Sequence, residues 1–112
     1  MLGHLNPIEE EAVTKLKDLL SRKLESNLKN ILLYGSKSRG DYNSDSDIDI
    51  LVVTGIVSPE VKDTLREAVL DIQLEYSLPI SVHIRSLDYF NAQQGNKLNL
   101  FIRNIEKEGI LV

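Results

Sequence analysis

Two apolar segments flanking a polar, glycine-bearing stretch constrain this chain most. Residues 30–34 read Asn-Ile-Leu-Leu-Tyr and stop at Gly35-Ser36. That is the pattern of a short buried strand ending in a turn. Residues 35–46 are almost all small or polar, which is loop chemistry with room for one helical turn. Residues 47–53 read Asp-Ile-Asp-Ile-Leu-Val-Val. They alternate first and then become wholly apolar, as in a strand running from an open edge into a core. If the two strands are antiparallel neighbours, the intervening loop folds back and sets Ser36 beside Asp47 and Asp49.

The remaining segments supply cover for such a sheet. Asn6-Pro7 is a cap followed by proline at the first helical position. Ile8, Ala12, Leu16, Leu19, Leu20 and Leu24 then recur at helical spacing, so a helix is expected to end near Ser26-Asn27. Ser58-Pro59-Glu60 opens a second helix, with Val61, Leu65, Ala68, Val69 and Ile72 on one stripe through about Tyr76. Ile80, Val82 and Ile84 alternate with Ser81, His83 and Arg85, a third strand with one polar face. A short helix over 86–90, a loop over 93–96, a helix over 98–107 stopped by Gly109 and an edge strand over 110–112 complete the reading. The expectation is one domain over 1–112 of α/β (α+β) class, a small mixed sheet with helices mainly on one face.

Composition excludes several function classes. There is no cysteine, so disulfides and thiol catalysis are ruled out. The formal net charge of −4 opposes an extended surface for duplex nucleic acid. No apolar run approaches the roughly 20 residues of a membrane helix, and no leader pattern is visible. A small cytoplasmic protein is the expectation, with self-association left open.

Asp47 and Asp49 are alternate residues, so a strand would present both carboxylates on one face, about 6–7 Å apart. Their repulsion is roughly 2–3 kcal/mol at an effective dielectric of about 20, and well under that at a wet strand end. A hard divalent cation would remove it. Gly35 allows close approach of backbone to a ligand, and Ser36 offers a hydroxyl and an N–H. Lys37 and Arg39 add positive charge, and Gly40 permits an unusual dihedral. Backbone donors with nearby cations suit a polyphosphate, and beside metal-binding carboxylates they suit phosphoryl or nucleotidyl transfer. The plainer readings are a solvated strand entrance for the aspartates, a tight turn for Gly35-Ser36 and surface charge for Lys37 and Arg39. Asp41 and Asp45 read as turn-stabilising. Phe90 and Phe101 read as core or partner anchors, Tyr34 as packing, His83 as surface and His4 as a mobile terminal residue.

Gly35-Ser36-Lys37-Ser38-Arg39-Gly40, then Ser46-Asp47-Ile48-Asp49-Ile50-Leu51-Val52, resembles the minimal nucleotidyltransferase family, within the DNA polymerase β-like superfamily. The family pattern is Gly-Ser, ten residues, Asp-x-Asp, and ten residues separate Ser36 from Asp47 here. Lys37 stands where arginine is commoner. The resemblance implies a polymerase β-like core, with Asp47 and Asp49 binding two magnesium ions. It implies that Gly35, Ser36, Lys37 and Arg39 hold the phosphates of a nucleoside triphosphate, ATP by expectation. A hydroxyl would attack the α-phosphate and pyrophosphate would leave. The family usually adds a third carboxylate on the next core strand. Its position here falls at Ser81, or else His83, and neither is acidic; Asp88 and Glu75 lie outside that strand. The resemblance further implies an antitoxin-type role beside a small helical HEPN-type partner, which an adenylyltransferase of this kind would modify. The competing expectation is a catalytically degenerate antitoxin that acts by contact or by sensing nucleotide.

Overall fold

A computed structural model describes residues 3–40 and 46–112. Asp41 and Asp45, read above as turn residues, lie outside them. Helix α1 (Pro7–Leu24) begins at the Asn6 cap. The Asn6 side chain accepts from Glu9 N at 2.8 Å, and Glu9 accepts from Asn6 N at 2.9 Å, a reciprocal capping box. A single 3₁₀ turn, Glu25–Asn27, leads into β1 (Leu28–Tyr34). Then come the one-turn helix α2 (Ser36–Arg39) and β2 (Ile48–Thr54). Helix α3 (Pro59–Tyr76) starts where the Ser58 hydroxyl accepts from Val61 N. Strand β3 (Ile80–Ser86), helices α4 (Leu87–Gln93) and α5 (Leu100–Glu108), and the two-residue strand β4 (Ile110–Leu111) follow.

The sheet is mixed, in the order β3-β2-β1-β4. β1 is antiparallel to both β2 and β4, whereas β3 runs parallel to β2 through the α3 crossover. Alternation sorts the side chains to two faces. Ile48, Ile50 and Val52 join Leu16, Leu20, Leu65 and Ile72 in the main core under α1 and α3. Each such buried aliphatic side chain contributes about 1.5–3 kcal/mol. Leu51 and Val53 face the other way, into a smaller cluster with Ile105, Leu87, Phe90 and Phe101 from α4 and α5. The α/β class and the predominance of one face agree with the sequence reading. Boundaries shift by one to three residues: β2 begins at Ile48, so Asp47 stands just before the strand, α4 runs on to Gln93, and α5 begins at Leu100. His4 is not a loose end, because its N–H donates to Lys37 O at 3.0 Å and its ring lies against Gly40.

Candidate active site

The antiparallel register of β1 with β2 pairs Tyr34 with Asp49. The next residue, Gly35, therefore meets the Asp49 side chain. Its φ of +79° lies in the region that L side chains rarely adopt, and a Cβ there would overlap the Asp49 carboxylate. Glycine is required on both counts. The chain then turns into α2, where Ser38 N and Arg39 N donate to Gly35 O at 3.0 and 3.2 Å. Gly40, at φ +89°, ends the turn with its N–H on Ser36 O at 2.7 Å. The Gly35-Ser36 turn and Asp49 are thus neighbours, and Asp47 lies close enough to raise the carboxyl of Asp49.

Asp49 is half-buried. Burial is the main cause that lifts its carboxyl above the usual aspartate range, followed by the charge of Asp47. His83 and Arg39 work against the rise, and Glu108 adds to it. Asp47 is exposed. On the other side, β3 pairs Asp49 with Ser81 and Leu51 with His83. Ser81 does stand beside Asp49, but it brings a hydroxyl and no carboxylate. A 2.7 Å hydrogen bond joins the Tyr34 hydroxyl to His83 Nδ1. Burial and Asp49 push the Tyr34 phenol up to about 12, with Arg85 opposing, so it is protonated at neutral pH. Phe101 packs edge-on against Tyr34 at 5.6 Å, and the Arg85 guanidinium lies 5.0 Å from the Phe101 ring. These residues lie on the α4–α5 side of the sheet, the side that also carries Asp49.

The cations of the loop diverge. Lys37 turns inward, and its Nζ donates to Glu9 Oε2 at 2.5 Å with the two side chains only 3% and 5% exposed. Arg39 stays on the site side, pairing with Glu108 at 2.9 Å. Glu108 is the residue that sequence reasoning missed. Its Oε1 accepts from Gly35 N at 3.0 Å, and its backbone carbonyl accepts from the Ser38 hydroxyl. The signal was present in the edge strand over 110–112. With Leu33 paired to Ile110, the register carries Glu108 alongside Gly35. The acids outside β3 are remote from this arrangement: Glu75 pairs with Lys15 of α1 at 2.6 Å, and Asp88 is exposed in the first turn of α4.

Asp47 and Asp49 offer hard oxygen donors to a cation. Among the described residues no cluster of three or more His, Asp or Glu side chains forms a complete metal cage. Two carboxylates with phosphate oxygens from a ligand are the usual set for magnesium, so the donor chemistry fits that ion. No helix among the described residues is long and apolar enough to cross a membrane.

A family model described as a nucleotidyltransferase domain matches residues 13–112. A Methanocaldococcus jannaschii protein, named as a candidate protein adenylyltransferase, is 35% identical over 102 residues. That match spans 90% of this chain and 94% of the relative. A second protein of that organism, named likewise, is 28% identical over 102 residues, spanning 91% and 96%. Among solved structures, a chain from a variant of the toxin–antitoxin pair MntA–HpeT gives a TM-score of 0.57 at 19% identity. It covers 96% of this chain and 72% of that one. A toxin–antitoxin structure with AMP-PNP gives 0.56 at 20% identity, covering 91% and 70%. At those identities the structural likeness concerns the fold.

Proposed function

The chain belongs to the nucleotidyltransferase domain family, and from that premise we propose that it moves AMP from ATP to a hydroxyl of a partner protein. The observation that carries this reading is the seating of Gly35 against the Asp49 carboxylate. It brings a donor-bearing turn and the Asp-x-Asp acids to the same few ångströms. Asp47 and Asp49 would hold magnesium, which when bound supplies charge neutralisation and orientation of the phosphates. The Gly35 N–H, the Ser36 hydroxyl and the Arg39 guanidinium would bind the terminal phosphates. Lys37 would act indirectly, locking α2 to α1 through Glu9. The acceptor hydroxyl attacks the α-phosphorus as its proton passes to solvent, the bond to the bridging oxygen breaks, and pyrophosphate departs. A protein acceptor is supported by the names of the two relatives, and a toxin-type partner by the toxin–antitoxin neighbours. A small helical protein of HEPN type in the cytoplasm fits this role.

The test is transfer of label. The full chain is incubated with α-labelled ATP, magnesium chloride and the product of a neighbouring gene as candidate acceptor. Label on that protein is expected, and Asp47→Asn with Asp49→Asn is expected to abolish it. Ser81 favours a second reading, because no carboxylate stands at the register position beside Asp49. In that reading the chain neutralises its partner by contact alone. Neutralisation that survives the double substitution with no label transferred would establish it and overturn the first.

A further inference from the structure

The reading above assigns the Gly35 N–H and Arg39 to the terminal phosphates, yet in the folded chain a carboxylate sits on both. Glu108 Oε1 accepts from Gly35 N at 3.0 Å. Arg39 Nη1 reaches Oε1 at 3.1 Å and Oε2 at 2.9 Å. The Glu108 side chain is only 12% exposed, so this is a seated group and not a passing surface contact. The placement follows from the fold. Strand β4 pairs with the edge of β1, and the last residue of α5 is delivered to the turn. The Ser38 hydroxyl on the Glu108 carbonyl pins the backbone there as well.

Resting on that reading, we infer that Glu108 is an internal competitor for the terminal phosphates and sets which anions the loop accepts. Its carboxylate fills the donors that a triphosphate tail would use, and must leave them when the tail arrives. The Asp49 carboxylate lies against the same Gly35, so Glu108 sets a second negative group at that turn, with Arg39 as its partner. A magnesium-bearing triphosphate brings its own cation and offers several oxygens in exchange for one carboxylate. A lone phosphate offers less. The loop is therefore guarded against common small anions, while the nucleotide's apparent affinity is reduced by the fraction of molecules with Glu108 in place.

Calorimetry on the full chain tests this with three probes: magnesium-ATP, inorganic tripolyphosphate and AMP. Glu108→Gln is expected to bind ATP and tripolyphosphate about tenfold tighter than the wild type. AMP, which has no terminal phosphates, is expected to show no change. In the ¹⁵N spectrum the Gly35 amide is expected to shift when tripolyphosphate is added. Equal affinities in both forms would overturn the inference while leaving the nucleotide reading intact. Weaker ATP binding by the variant would overturn it too, making Glu108 part of the binding set. Absence of ATP binding in both forms would overturn the nucleotide reading and this inference together. Should Glu108→Gln fail to fold, Glu108→Asp withdraws the carboxylate by one methylene and carries the same expectations.

Discussion

Asp49 shows how one residue can weigh against the fold it serves. Its carboxyl is lifted first by burial and next by Asp47. A folded-state value above the unfolded one means that the folded chain holds the proton more tightly. Stability therefore falls as pH rises through the window between the two values, and the ionised group is a liability at neutral pH. Asp49→Asn is expected to raise the thermal midpoint of the metal-free protein at pH 7. The gain should fade as pH falls below the unfolded aspartate range, and scanning calorimetry across pH would show it. A variant less stable than wild type at pH 7 would refute the argument. Much of this residue-scale picture was legible in the sequence. The spacing from Ser36 to Asp47 and the alternation of Asp47 with Asp49 are local facts. Glu108 was not legible from its own surroundings, because only the pairing of β4 with β1 brings it to Gly35. Lys37 and Arg39 looked equivalent in the loop, yet one points into the protein and the other towards the site.

At the scale of elements, the buried pair of Lys37 and Glu9 ties the one-turn helix α2 to the start of α1. Glu9 does two jobs: one oxygen accepts from Asn6 N in the capping box, and the other accepts from Lys37. Removing one partner strands the other charge out of water. Lys37→Met is expected to cost about 3–5 kcal/mol, measured by urea unfolding. Lys37→Met with Glu9→Gln should recover a substantial part of that loss, because no uncompensated charge remains. Equal stability of the single variant and the wild type would show that the pair does not brace α2. The capping of α1 and α3 was readable from Asn6-Pro7 and Ser58-Pro59, since a cap and an N1 proline are short-range signals. The pairing of Glu9 with Lys37 was not, because the two residues lie 28 positions apart.

For the whole molecule, the two sheet faces are unequal. The face under α1 and α3 carries most of the buried apolar side chains, whereas α4 and α5 cover theirs with a far smaller cluster. Local opening should follow that division. Amides of α4 and α5 are expected to exchange about tenfold or more faster than those of α1, β1 and β2 in native-state hydrogen exchange. Uniform protection across both sets would contradict it. Element order and class were visible from periodicity, but the strand order β3-β2-β1-β4 was not, since pairing partners are chosen by tertiary fit. One result of that order bears on how the protein is handled. Gly3 lies against Leu33, Ile110 and the Lys37 carbonyl, whereas Val112 N donates to Ile31 O, so β4 carries the chain away from α2 toward the start of β1. A handle attached after Val112 is therefore expected to clear the loop that carries Arg39 and leave assays at that loop undisturbed.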